Sequence, residues 1–134
     1  MNLRNLFRFS GVILGLGGLV WLLAPQSMAG AVGYAIDSYD AYLIRALGAN
    51  NIAWAVLAFL VSGLAHSPAR QAVATSFFVL MVVSLFVNLL SALISIVNPG
   101  VAWFGVATNV VFALAFGYFS FIRQEESPAP ELQP

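Results

Sequence analysis

A chain of 134 residues with 61% hydrophobic and only 7% charged residues is excluded from the ordinary water-soluble domains, which carry roughly 25% charge. Five basic and five acidic residues cancel, so no basic surface invites nucleic acid, and the mean hydropathy of +0.94 points to lipid. The absence of cysteine removes disulfides, thiol catalysis, iron–sulfur clusters and thiolate zinc sites together.

The length allows one domain, expected over residues 1–123. Its first apolar span covers about residues 6–24 and stops at Pro25. Like the three spans after it, it meets the requirement of about 20 mainly apolar residues for crossing a ~30 Å hydrocarbon core. Arg4 and Arg8, the apolar run 12–24 and Ser27-Met28-Ala29 imitate a secretory signal with its cleavage site; the expectation is a retained first membrane helix. Gly15-Leu16-Gly17-Gly18 is no phosphate loop, because it sits inside an apolar run without a lysine. Residues 26–37 are too short to cross and too apolar for a free loop, and are expected at the outer interface as a short helix or re-entrant turn.

The second span covers about residues 38–65 and ends before His66-Ser67-Pro68; the third covers 69–97 and ends at Asn98-Pro99-Gly100; the fourth covers 101–122, closed by Arg123. Proline and glycine punctuate the gaps, and connections this short make consecutive helices antiparallel neighbours. The fold expected is an all-α integral membrane protein, an antiparallel bundle of four transmembrane helices. The tail 124–134, with three glutamates and three prolines, has nothing to bury and is expected to be disordered. No internal repeat relates the two halves.

All five basic residues are arginines. With the N-terminus inside, Arg4, Arg8, Arg70 and Arg123 fall on the cytoplasmic side and Arg45 alone outside, as positive-inside retention requires. Trp21, Tyr34, Tyr39, Tyr42 and Trp103 then cluster at the outer boundary, where amphipathic rings favour headgroups. Both termini are expected in the cytoplasm and the bundle in a cell inner (plasma) membrane.

Each span carries a stripe of small or polar residues at spacings of three and four, which keeps it on one helix face. The stripes are Gly11, Gly15 and Gly18; Gly48, Asn51, Ala55, Ala58, Ser62 and Ala65; Ser84, Asn88, Ser91, Ser95 and Asn98; and Gly105, Asn109, Ala113 and Gly117. One reading is helix packing, with the polar members as hydrogen-bonding glue. In the other, Asn51, Ser84, Asn88, Ser91 and Asn109 line a polar cavity for a ligand or ion. A second cluster, Asp37, Asp40 and Arg45 with Tyr34, Tyr39 and Tyr42, either caps and anchors the second helix or holds a polar headgroup or a cation. Arg45 is expected to pair with Asp37 or Asp40, since an unpaired guanidinium near hydrocarbon is costly. His66 is expected to be a turn residue. As the single histidine it cannot supply both axial ligands of a bis-histidine haem.

The stretch 39–51 (YDAYLIRALGANN), with Arg45 followed by Leu47 and Gly48 early in a helix and three further spans, resembles small bacterial four-helix membrane proteins of the DoxX-like type. The resemblance covers about residues 39–122 and implies a fold rather than a chemistry. No cofactor, metal set or catalytic constellation is expected. A small multidrug exporter would need a carboxylate in its first helix, where residues 9–24 have none. The function expected is non-enzymatic association with the lipid bilayer and with a membrane-protein partner or a second copy, as an accessory or scaffold subunit. The alternative is a binder or carrier of a lipid, quinone or small polar ligand.

Overall fold

The computed structural model describes residues 2–31, 33–94 and 98–123. Helix α1 spans Leu3–Leu23, three residues earlier than the apolar pattern alone suggests, because the Asn2 side chain accepts the Asn5 N–H at 2.9 Å and caps the first turn. It ends at Ala24, which the following proline forces out of helical geometry. Pro25 opens α2 (Pro25–Ala31), the short helix expected after the first span. The chain leaves α2 through Gly33, at φ +78°, with Tyr34 N–H donating to Ala29 and Gly33 N–H to Gly30; only glycine takes that conformation at little cost.

Asp37 caps α3 (Ser38–Ser62) in a reciprocal capping box with Asp40. Helix α3 stops short of the expected residue 65, and residues 63–67 form the turn into α4 (Pro68–Leu93). The Ser67 hydroxyl caps α4 by accepting the Arg70 N–H. Asn98, expected on the inward stripe, is instead exposed and caps α5 (Pro99–Gly117) by accepting from Gly100. A π-helical segment, Tyr118–Ile122, completes the last helix. Ser95 and the tail 124–134 lie outside the described residues. Among the described residues there is no strand, and four helices are long and apolar enough to cross a membrane.

The small-residue stripes set the packing. α1 lies on α3 so closely that a Cβ at Gly18 would sit 2.7 Å from the Gly48 carbonyl oxygen, and one at Gly48 would sit 2.7 Å from that of Gly18. Further along the same seam, Gly15 faces Ala55 and Gly11 faces the Phe59 ring. α4 and α5 form the second pair, with Asn88 over Gly105 and the Phe78 ring over Gly117. The two pairs meet around Phe7, Phe77 and Phe116, all fully buried, with Leu3, Leu6, Val61, Met81 and Phe119 packed alongside. This core joins the start of α1 and α4 to the end of α3 and α5. The same end is stitched by Gln71, whose amide donates to the carbonyls of Phe119 (2.9 Å) and Ser120 (2.7 Å), groups that a helix end would otherwise leave without partners.

Candidate functional site

At mid-height, a cavity of about 130 Å³ is lined from all four long helices by Ser10, Asn51, Ser84, Thr108 and Asn109 among apolar neighbours. Asn51, Ser84 and Asn109 come from the stripes of their helices, whereas Ser10 and Thr108 lie one position off theirs. Donors are partly spent at home: the Ser10 hydroxyl bonds to the Leu6 carbonyl and the Asn109 amide to that of Gly105. The Asn51 side chain and the Ser84 and Thr108 hydroxyls make no hydrogen bond to a described residue, which leaves them available to a small guest. The volume limits that guest. It is close to the ~150 Å³ that accommodates a benzene ring and far below the ~300–1,000 Å³ of pockets for drug-sized ligands.

Of the five stripe residues named from sequence, Asn51, Ser84 and Asn109 line this cavity. Asn88 and Ser91 are half-buried one and two turns further along α4, outside its lining. The Asn88 amide donates to the Ser84 carbonyl at 2.8 Å and its oxygen fills the space over Gly105; the Ser91 hydroxyl bonds to the Val87 carbonyl. Asn88 therefore sits in the α4–α5 seam and serves packing, while Ser91 spends its hydroxyl within its own helix. Ala65, placed on the inward stripe of the second span, is exposed in the turn.

The cluster at the start of α3 departs from expectation in one respect. Asp37 accepts the N–H groups of Tyr39 and Asp40, each at 2.8 Å, and the Asp40 carboxylate reaches back to the Asp37 N–H at 3.5 Å. Arg45, however, forms no ion pair with Asp37 or Asp40; all three are described, and Arg45 is exposed. Five residues at 100° each turn Arg45 well away from Asp40 around the helix, and the two carboxylates are already occupied by backbone. The cluster is a cap, with the arginine pointing elsewhere.

A second polar feature escaped the stripe analysis. Asn50 is the middle residue of the 25-residue α3, is exposed, and makes no hydrogen bond to a described residue. Ala46 and Ala53, one turn to either side, are exposed on the same face. Its signal in the sequence is an asparagine off the stripe in an apolar run, adjacent to the on-stripe Asn51 that drew attention away from it. His66 lies in the turn, as expected, with its Nδ1 3.2 Å from the Arg70 guanidinium.

The family model of DUF8292, a domain of unknown function, matches residues 1–121. The chain belongs to the DUF8292 family. Comparison with curated proteins and with solved structures gave no match. Membership covers all four long helices and so includes both the cavity and the Asn50 face.

Proposed function

We propose that this DUF8292 chain is a non-enzymatic integral membrane protein of a cell inner (plasma) membrane, an antiparallel bundle of its four long helices that works by association as an accessory or scaffold subunit. The observation that carries this reading is Asn50. In hydrocarbon a carboxamide without a partner is unfavourable, and polar side chains there act as interhelical glue beside small residues that let backbones approach. Asn50 with Ala46 and Ala53 presents both at mid-span on a face that no other described residue covers. Exposed apolar residues would not support the reading, since lipid satisfies them equally well. The DoxX-like resemblance agrees with a four-helix membrane fold and adds no chemistry.

The test is native mass spectrometry after gentle solubilisation. Wild-type chain is expected to retain a protein partner or a second copy, and Asn50→Leu to lose most of it while keeping its thermal stability. A wild-type chain that flies as a protein-free monomer, or an Asn50→Leu chain with its partner intact, would overturn the assignment.

The orientation has its own check, which the absence of native cysteine makes clean. With Arg4, Arg8, Arg70 and Arg123 retained inside, a cysteine at Ser67 should be shielded from an impermeant thiol reagent in intact cells. One at Gly100 should label; the reverse pattern would invert the topology.

A second reading is favoured by the convergence of Asn51, Ser84, Thr108 and Asn109 on one cavity: binding of a very small polar ligand or a few water molecules. The ~130 Å³ argues against a quinone or a lipid in this interior position.

A further inference from the structure

Helix α3 carries a regular row of residues on its outward side. Leu43, Ala46, Asn50, Ala53 and Leu57 follow one another at steps of three, four, three and four, the 3.5-residue period of a coiled-coil contact. The same alternation reaches Tyr39 before them and Leu60 after them. All seven are exposed except Leu57, which is half-buried. The contact with α1 lies elsewhere on the helix. Gly48, whose missing side chain lets α1 approach, is two residues from Asn50 and so about 200° round from it. Within the heptad pattern Asn50 holds a core position. Leucine stands at the equivalent positions seven residues away on either side, and alanine at the two core positions between.

We infer that the chain pairs with a second copy of itself through this row, two α3 helices lying parallel and in register with Asn50 opposite Asn50. A twofold contact sets the residues at its axis against their own copies, so it needs groups that complement themselves. A carboxamide does, donating through its amide and accepting through its oxygen. A single asparagine at a core position fixes register and pair formation in coiled coils. Ala46 and Ala53 to either side let two backbones approach at mid-span. Charge permits the pairing as well. Arg45 is the only charged residue from 41 to 60, and five residues from Asn50 it lies about 140° round the helix, so two copies do not press like charges together. Copies inserted in the same sense hold their α3 helices parallel, the arrangement in which like positions meet. A different protein would require none of this self-complementarity. The inference rests on the Asn50 reading above and narrows its partner to a second copy.

Because the chain has no native cysteine, single cysteines report the register. Ala46→Cys and Ala53→Cys, each with Asn50 kept, should form covalent dimer on mild oxidation in membranes. Ala49→Cys and Val56→Cys are also at exposed positions, but about 100° and 120° round from Asn50. They should give at least about fivefold less, since a disulfide needs its Cβ atoms within ~4.5 Å. Adding Asn50→Leu to the Ala46→Cys chain should lower its covalent dimer, and in detergent should raise the dimer dissociation constant about tenfold, the scale of one or two interhelical polar contacts. Asn50→Gln, which keeps the carboxamide, should recover most of the pairing. Equal cross-linking at all four positions, or none at any, would overturn the pairing. Native mass spectra that show a different protein held through Asn50 would overturn the second copy and leave the Asn50 reading standing. A protein-free monomer would overturn both.

Discussion

Alanine at Gly18 or Gly48 is expected to force α1 and α3 apart. The atoms that a new Cβ would meet within 3 Å include the backbone carbonyl of the opposite glycine and, for Gly48, the Leu22 nitrogen. Backbone inside a helix cannot swing aside as a side-chain tip can, so the whole seam must open. Overpacking of this kind costs ~1–3 kcal/mol and occasionally more, and little can offset it in lipid, where helix association depends on close packing. The remaining glycines of α1 make a graded series of controls. Gly11→Ala meets the Phe59 ring at 3.0 Å and should cost an intermediate amount; Gly15→Ala makes an ordinary 3.5 Å contact; Gly17→Ala meets nothing within 4 Å. The last should gain up to ~1 kcal/mol from helix propensity. Thermal or denaturant unfolding in detergent micelles reads the order directly. A Gly17→Ala chain less stable than Gly18→Ala would show that the seam runs along the other face of α1.

What the sequence disclosed, and what it hid, divides along a physical line. Helix spacing is local, so Gly11, Gly15 and Gly18 could be assigned to one face from their numbers, as could Gly48, Ala55, Ala58 and Ser62. The caps were partly legible too, because Asp37 and Ser67 stand immediately ahead of their helices. Which stripe meets which depends on contacts between distant residues. Nothing in the spacing pairs Gly18 with Gly48 or sends Gln71 to the carbonyls of Phe119 and Ser120. The expected partnership of Arg45 with Asp40 weighed charge and ignored angle, and the capping box had already engaged the carboxylate. Asn50 and Asn51 are chemically identical neighbours. One turns to the cavity and the other away from the bundle, a difference of one helical step. That Arg4 and Arg70 line one cavity required knowing that α1 and α4 start side by side. From sequence, Arg4 and Arg70 served only to orient the chain, through the retention of positive charge on one side.

Phe77→Ala is expected to have the largest effect of any side-chain truncation in the core. The Phe77 ring is completely buried and meets three others, Phe7 of α1 at 5.5 Å, Trp54 of α3 at 5.2 Å and Phe116 of α5 at 5.1 Å between centroids. One side chain of α4 thus touches all the other long helices at the point where the two pairs join. Truncations of buried phenylalanine cost ~3–5 kcal/mol in water-soluble cores. For a chain embedded in lipid the transfer component of that cost falls, because the alternative surroundings are also apolar. Lost dispersion, the cavity and the aromatic geometry, worth ~0.5–1.5 kcal/mol per ring pair, remain, so about 3 kcal/mol is expected. Phe86→Ala, at a ring 63% exposed on the same helix, should cost far less. If the chain is embedded as proposed, both rings leave water, so the two variants separate burial against protein from burial against lipid. A matched loss of stability in detergent unfolding would mean that lipid, and not the Phe77 cluster, holds the pairs together. A large loss from Phe77→Ala alone should spare the Gly18–Gly48 seam, because that seam lies later in α1 and earlier in α3 than the cluster and shares no residue with it. Cysteines placed across α1 and α3 should then still cross-link in Phe77→Ala, while a pair placed across α3 and α4 should not.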